Sequence, residues 1–131
     1  MKKAFIFTLI FVLGFIANST AETHKYYSTE FACKIKKSNG YWGEWSDWEE
    51  SHCLICISLD RNVINIYSNE PQEFDIYDDD EGISEDENGS SLTLRCIDKD
   101  GLRCGIRLRK QNDGVLQLYV EYNNIIYVYC K

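Results

Sequence analysis

The segment His52-Cys53-Leu54-Ile55-Cys56 holds the residue types with the most chemical potential in this sequence. A C-x-x-C pair can be a redox dithiol, or it can supply half of a zinc site. Redox dithiols usually lie at a helix N-terminus, which stabilises the thiolate, whereas this pair enters a run with strand composition. Zinc would need further ligands, and the sequence has no second C-x-x-C and no H-x-x-x-H. The segment therefore favours structural disulfides over a metal or redox site.

Other catalytic patterns are absent from the sequence. Of the two histidines, His24 falls in an expected loose lead-in, which leaves His52 alone for a Ser/His/Asp or Cys/His mechanism. Carboxylates concentrate in residues 78–89, D-D-D-E-G-I-S-E-D-E-N-G, where Gly82 arrives one residue early for a calcium loop. We expect a solvated loop there, with a cation site as the alternative. We also expect no cofactor and no enzymatic activity.

Residues 1–21 have the pattern of a signal peptide. Met1-Lys2-Lys3 is positively charged, residues 4–17 are nearly all apolar, and Ser19-Thr20-Ala21 supplies small residues at a cleavage site. The apolar run is too short for a retained membrane span. We therefore expect an exported protein, periplasmic or extracellular, whose mature part is one domain of residues 22–131.

The balance of charge restricts the partners of the mature chain. Loss of Lys2 and Lys3 with the signal peptide takes the formal net charge from -7 to about -9. An acidic chain of this kind is not a general nucleic-acid binder. The charge favours solubility and, at most, cationic partners.

Six cysteines, an even number in an exported chain, predict disulfides. Cys33 and Cys130 lie near the two ends of the mature chain, where a bridge would help to close a barrel. Cys53 and Cys56 would then pair with each other or with outside partners. The pairing of these four cysteines stays open at this point.

Positions 91–122 predict a three-stranded antiparallel meander, because three alternating runs are separated by the turns D-K-D-G and Q-N-D-G. The first turn sets Cys96 opposite Cys104 and Leu94 opposite Ile106, and the second sets Ile106 opposite Val120. Both turns place apolar side chains on one face, and a slip of one residue would break that agreement. Because Cys96 and Cys104 face each other, we predict that they form a disulfide.

Other alternating runs predict strands at residues 27–37, 54–59, 63–67, 73–77 and 125–131. A turn at Arg61-Asn62 would set Ile64 opposite Leu59 and Ile66 opposite Ile57. About 7–8 strands with almost no helical periodicity predict an all-β domain. We expect a small antiparallel β-barrel stapled by disulfides, with a β-sandwich as the alternative.

The last hairpin has two registers that the sequence does not separate. A two-residue turn at Asn123-Asn124 would place Val120 opposite Tyr127 and Leu118 opposite Tyr129. A three-residue turn would instead point the alternate residues, Val128 and Cys130, inward.

Two surfaces are candidates for binding. Trp42, Trp45 and Trp48 recur every third residue, and they either close one end of the core or form an aromatic surface for sugars, aromatic ligands or a partner. The polar face of the meander is either a solvated sheet face or a strip for anions or a partner. Its basic residues are Arg95, Arg103, Arg107 and Arg109.

The W-x-x-W-x-x-W run resembles the tryptophan run of thrombospondin type 1 repeats, whose rings interleave with arginines of a neighbouring strand. The resemblance implies that role for Arg107 and Arg109. The sequence departs from the family pattern, since the C-S-x-T-C-G of that family is absent and the arginines lie about sixty residues beyond the tryptophans.

The mature chain as a whole is similar in strand-turn layout to small exported proteins of unknown function from Bacteroidota-type bacteria. The similarity rests on W-G-E-W, I-S-L-D-R-N-V-I-N-I-Y-S, C-I-D-K-D-G-L-R-C-G-I-R-L and L-Q-L-Y-V-E-Y-N-N. It implies no activity, ligand or catalytic residue.

Three functions follow from these observations. The first is a non-enzymatic exported β-domain that binds a protein or a ligand. The second is an inhibitor of a secreted or periplasmic hydrolase, in which the acidic segment would enter a basic cleft. The third is a metal or redox protein that uses His52, Cys53 and Cys56.

Overall fold

A computed structural model describes residues 23–58, 61–78 and 83–131. The predicted signal peptide lies outside the described residues. The described chain forms nine β-strands, one more than the highest expected number. In order they are β1 (Thr23–Ile35), β2 (Glu49–Ser58), β3 (Val63–Tyr67), β4 (Gln72–Asp78), β5 (Ile83–Asp86), β6 (Gly89–Asp98), β7 (Arg103–Gln111), β8 (Leu116–Glu121) and β9 (Ile125–Cys130).

Eight of the strands close into an antiparallel barrel, as the sequence predicted. The ring runs β1-β2-β3-β4-β6-β7-β8-β9, and the first strand pairs with the last to close it. Strand β5 lies outside the ring and pairs with β6 alone. Closure removes the exposed edges that a sandwich would leave, so the alternative of two sheets is wrong.

The predicted meander is present with its predicted register. Leu94 lies opposite Ile106, which in turn lies opposite Val120. Gly101 and Gly114 close the two turns with φ of 87° and 93°, which a glycine adopts without the penalty of a Cβ atom. With these turns the apolar residues of β6, β7 and β8 alternate inward, and the meander forms three of the eight strands of the barrel wall.

The hairpin of β8 and β9 has the two-residue turn, which gives one of the two registers that the sequence left open. Val120 lies opposite Tyr127 and Leu118 lies opposite Tyr129. The Tyr122 amide donates to the Ile125 carbonyl at 2.9 Å and closes the turn. The consequence is that Tyr127 and Tyr129 point into the barrel while Val128 and Cys130 face outward.

The register predicted for the β2–β3 hairpin is wrong by two residues. Ile64 lies opposite Ile57, and Ile66 opposite Ile55, instead of opposite Leu59 and Ile57. The last paired residues are Ser58 and Val63, so the connection has four residues, and it includes Asn62 at φ 54°. A shift of two leaves the inward face unchanged, so Ile57, Ile64 and Ile66 are buried as predicted. Leu59, which was expected on the same face, lies outside the described residues.

Strand β1 begins at Thr23, so the expected lead-in is part of the barrel. His24, Tyr26 and Ser28 are buried, and then the pairing with β2 shifts between Ser28 and Glu30. This β-bulge reverses the parity of the strand, and Phe31 is the next residue packed against the core. The inward-facing residues of β1 are therefore even-numbered up to Ser28 and odd-numbered from Phe31. The sequence pattern indicated one uninterrupted alternation.

The barrel interior is packed with aliphatic side chains and closed over most of its length. Fully buried residues include Ile55, Ile57, Ile64, Leu94 and Ile106. We call the end that carries the β1–β2, β3–β4, β6–β7 and β8–β9 connections the upper end. Within the described ranges, none of the segments is a helix long and apolar enough to cross a membrane.

Candidate functional site

The upper end of the barrel opens into a cavity of about 490 Å³, which we call the mouth cavity. Five of its fourteen lining residues are aromatic, and its rim is polar. The aromatic residues are Phe31, Phe74, Tyr122, Tyr127 and Tyr129. The mouth of a β-barrel is a common place for a small-molecule site, since apolar walls and a few polar groups converge there.

Four of these rings form one continuous cluster. The centroid of Phe31 lies 5.3 Å from Tyr129 and 5.9 Å from Tyr127. Tyr127 lies 5.9 Å from Tyr129, nearly edge-on at 86°, and 6.3 Å from Tyr122. All of these distances lie in the favourable range for aromatic pairs, so the rings hold each other in place.

Gln72 on β4 contacts this aromatic cluster from the opposite side of the barrel. The Tyr127 hydroxyl donates to Gln72 Oε1 at 2.5 Å, and Gln72 Nε2 donates to the Tyr129 hydroxyl at 2.9 Å. In a ring of eight strands, β4 and β9 are four strands apart in either direction. The amide therefore spans the barrel and fixes the base of the mouth cavity.

Asp98 holds the rim of the mouth cavity in place through three hydrogen bonds. Its Oδ1 accepts the amides of Asp100 and Leu102, both at 2.9 Å, and its Oδ2 accepts the Tyr122 hydroxyl at 2.7 Å. Burial opposes ionisation of the Asp98 carboxyl, but the hydrogen bonds from Tyr122 and the two amides outweigh it and lower the pKa. Asp98 is thus a carboxylate at neutral pH, and it orients Tyr122.

The phenols of the cavity are protonated throughout the physiological range. Burial raises the pKa of Tyr122, and its hydrogen bond to the Asp98 carboxylate raises it further. Burial also raises the pKa of Tyr127 and of Tyr129. All three side chains are therefore neutral hydrogen-bonding groups, not anions.

The rim of the mouth cavity carries more negative than positive charge. Besides Asp98, the lining includes Glu70, Glu73 and Asp100, against the single cation Lys99. The Lys99 ammonium donates to the carbonyl of Pro71 at 2.8 Å, which joins the β6–β7 turn to the β3–β4 connection.

The side chains of the segment His52-Cys53-Leu54-Ile55-Cys56 do not form one site. Cys53 is buried in the barrel wall facing inward, whereas Cys56, three residues along the same strand, is half-buried on the outer face. His52 is 67% exposed and contacts Glu50 at 3.0 Å. In the part of the chain that the structure describes, no group of three or more His, Cys, Asp or Glu side chains is arranged to hold a metal ion.

The other cysteines are also unbonded in this structure. Cys96 and Cys104 lie opposite each other on β6 and β7, and both are buried. Burial raises the pKa of Cys104 to about 11 and raises that of Cys96 as well. The register does not bring Cys33 to Cys130, because Cys33 lies opposite Tyr127 and Cys130 opposite Glu30.

The four arginines of the meander do not form a continuous free strip. Arg109 contacts Asp86 at 3.2 Å, and Arg107 contacts Glu121 at 3.1 Å. Arg95 lies 3.9 Å from Asp78. The guanidinium carbon of Arg103 lies 5.6 Å from the ring centroid of Tyr77.

The acidic segment is more ordered than expected. Residues 83–86 form β5, and Asp86 pairs with Arg109 on β7 across β6. The hydrogen bond from Arg109, and then that from the Asn88 amide, lower the pKa of Asp86. The expected loop is therefore partly a hairpin, while residues 79–82, which include Gly82 of the calcium comparison, lie outside the described residues.

The tryptophan run lies on the outer surface of the barrel, so the interpretation that it closes the core is wrong. Trp45 and Trp48 are 41% and 48% exposed. With Ala32, Tyr119 and Val128 they line a shallow cleft of about 190 Å³. The β1–β2 connection thus crosses the outside of strands β1, β9 and β8.

Cations and rings alternate along this outer surface. The Lys34 ammonium lies 4.8 Å from the Trp45 centroid and 5.7 Å from that of Trp42. Trp45 meets the edge of Tyr119 at 6.1 Å, and Arg107 lies 3.9 Å over the Tyr119 ring. Lys34 is thus the cation between two of the tryptophans, and Arg107 joins the row through Tyr119 and not through a tryptophan.

Sequence reasoning missed the mouth cavity. The Tyr127-Val128-Tyr129 alternation was a usable signal, but it depended on the unresolved choice of turn. Gln72 and Asp98 carried no signal, because one follows a proline and the other opens a turn. Gln72 and Asp98 come to lie beside the tyrosines only because the barrel closes.

The fold and the cavity define a closed eight-stranded antiparallel barrel with an aromatic mouth. No family model, no curated protein and no solved structure matches this chain.

Proposed function

We propose that this protein is an exported, non-enzymatic binding module that takes a small ligand in the mouth cavity. The observation that carries the proposal is the aromatic-walled opening of about 490 Å³, a volume within the usual range of ligand pockets. The alternatives of a hydrolase inhibitor and a metal or redox protein receive no comparable support from the described residues.

Preorganisation of the cavity supports a binding role. Gln72 holds Tyr127 and Tyr129, and Asp98 holds Tyr122, so the walls are fixed before a ligand arrives. A rigid site loses little conformational entropy on binding. Apolar rings supply affinity, and the hydroxyl and carboxylate groups supply orientation.

The chemistry of the lining supports a site that binds without reacting. The described lining includes neither His24 nor His52. Its phenols have raised pKa values, and its most buried carboxylate, Asp98, is engaged by Tyr122 and the turn amides. Neither these phenols nor Asp98 is therefore poised to move a proton near neutral pH.

Export and disulfide formation are part of the same proposal. The pattern of residues 1–21 supports export. The backbone amide of Asp98 donates to the Leu102 carbonyl at the turn, and the alternation of an antiparallel ladder then makes Cys96 and Cys104 a hydrogen-bonded pair. Such a pair has Cα atoms about 5.5 Å apart, which suits a disulfide.

The exposed tryptophan surface stays a predicted second contact surface. Trp45 and Trp48 are the residues that would make the contact. The four arginines contribute less than the sequence indicated, since acids or rings already engage them.

A fragment screen by ligand-observed NMR tests the proposal. Ser68→Trp would fill the entrance of the mouth cavity, because Ser68 lines it at the start of the β3–β4 connection. Tyr67→Trp is the matched control, since Tyr67 is the preceding residue and is half exposed. We expect fragments to bind the unmodified protein and Tyr67→Trp but not Ser68→Trp. Binding that Ser68→Trp leaves intact would exclude the mouth cavity as the site.

A further inference from the structure

The mouth cavity has already used most of its own hydrogen-bond donors. Tyr122 donates to Asp98, and Tyr127 donates to Gln72. The Gln72 amide donates in turn to Tyr129. The oxygens of Tyr122 and Tyr127 keep lone pairs after donating, and so does the Asp98 carboxylate.

At the rim, side chains of the β3–β4 connection and the β6–β7 turn also donate hydrogen bonds within the protein. The Ser68 hydroxyl donates to the Glu70 carbonyl at 2.8 Å. The Lys99 ammonium donates to the Pro71 carbonyl. Lys99 uses only one of its three N–H donors in this contact, and the Tyr129 hydroxyl accepts in its bond with Gln72. The carboxylate, phenol and carbonyl oxygens of the lining still outnumber these remaining donors, so a ligand that matches the cavity must bring donors.

From this polarity together with the aromatic walls, and resting on the proposed function above, we infer that the ligand is a small organic ammonium ion. An ammonium group carries only donors, as the cavity requires. It is also attracted to aromatic faces, and four clustered rings are among the lining residues.

The charge of the rim agrees with a cationic ligand. Glu70, Glu73, Asp98 and Asp100 oppose the single Lys99. A field of this sign attracts a cation and repels an anion, and salt weakens it over a Debye length of about 10 Å at 0.1 M. An indole or phenyl body fits the volume with room for its substituent.

Three indole probes of similar shape and different charge test the inference. Tryptamine is a cation, tryptophol is neutral, and indole-3-propionate is an anion at pH 7. We expect tryptamine to bind about tenfold more tightly than tryptophol, the order of effect that an ammonium over aromatic faces gives. Indole-3-propionate is expected to bind most weakly. Titration calorimetry on the purified protein measures all three affinities.

Matched variants separate the charge of the rim from the total charge. Glu73→Gln removes a rim carboxylate and should reduce the preference for tryptamine. Glu85→Gln makes the same change on β5, far from the mouth cavity, and should leave the preference unchanged. Lys99→Met should raise the affinity for tryptamine and not that for tryptophol.

The outcomes distinguish the two proposals. Equal binding of the three probes, abolished by Ser68→Trp, would overturn the ammonium inference and leave the mouth cavity as a ligand site. Tighter binding of methyl β-glucoside than of tryptamine would also overturn it, in favour of a neutral sugar. If no probe and no fragment bound, the proposed function itself would fail.

Discussion

The amide nitrogen of Gln72 lies 2.9 Å from the hydroxyl of Tyr129, and this contact joins two strands on opposite sides of the barrel. Most contacts in a barrel connect neighbours in the ring. This one crosses the interior, so it restrains the width of the mouth directly.

Replacement of Gln72 should destabilise the protein more than its partial exposure indicates. Gln72→Leu leaves the hydroxyls of Tyr127 and Tyr129 without their partner, and a buried unsatisfied polar group costs about 1–3 kcal/mol. Urea unfolding measures the loss. In the double variant Gln72→Leu with Tyr129→Phe, part of the loss should be recovered, because one of the stranded groups is gone. Strict additivity would show that the bridge carries no coupling.

Glycine is required at position 89 and not at position 105. A Cβ atom on Gly89 would lie 2.2 Å from the backbone oxygen of Lys110, so Gly89→Ala must displace β6 from β7. We expect a loss of about 1–3 kcal/mol, as for overpacked sites. A Cβ on Gly105 meets only Thr93 and Glu121 side-chain atoms, at 3.6 and 3.8 Å, so Gly105→Ala should be nearly neutral. Equal effects of the two substitutions would contradict this assignment.

Disulfide formation between Cys96 and Cys104 is expected in protein isolated from an oxidising compartment. Alkylation in urea without reduction, followed by intact mass, should leave these two cysteines unlabelled, while reduction beforehand should make both reactive. Urea is needed because burial alone protects both thiols in the folded state. Labelling of both without a reductant would show that the facing thiols stay free.

Alkaline pH should destabilise the protein through its tyrosines. Burial raises the pKa of Tyr26, Tyr122 and Tyr127 above the ordinary 10.0, so these phenols ionise earlier in the unfolded chain than in the folded one. Their contribution is complete below about pH 10 and is lost as the pH rises further. Urea midpoints at successive pH values should fall above pH 10, and less steeply in Tyr127→Phe. A flat profile in that range would refute the expectation.

The contact between Arg109 and Asp86 should be visible in the titration of the carboxyl. Arg109 holds the pKa of Asp86 below 3.8, so the stabilisation is present at higher pH and is lost as the pH falls through the lowered value. NMR should show the Asp86 pKa move back toward 3.8 in Arg109→Met. Amide exchange in β5 should quicken in the same variant, since the contact ties the outer strand to β7. An unchanged pKa would place the cause elsewhere.

The meander was predictable because its information is local. Asp-Gly turns fix the register over a few residues, and Leu94, Ile106 and Val120 fall into place on one face. The β2–β3 hairpin lacks such a turn, and its register was wrong. Local chemistry therefore predicted three of the eight strands of the ring with their pairing, and the rest only as strands.

The mouth cavity was not predictable, because it depends on relations that the sequence does not state locally. Tyr127 and Phe31 come from opposite ends of the described chain, and a bulge between Ser28 and Glu30 decides which way Phe31 points. The tryptophans show the opposite difficulty, since three large apolar residues indicate a core and instead cover the outside. Burial of a side chain was predictable only where inward and outward side chains alternate without interruption along the strand.

The pairing of β1 with β9 also determines when the barrel can form. Glu30 lies opposite Cys130, so the seam joins positions a hundred residues apart. Contacts of such sequence separation carry a large loop-closure entropy and slow the folding of β-proteins. When the chain is synthesised from its N-terminus, β1 can pair with β2 but not with β9 until β9 has been made. The edge of β1 is exposed for that whole interval, and the last strand of the chain is the one that protects it.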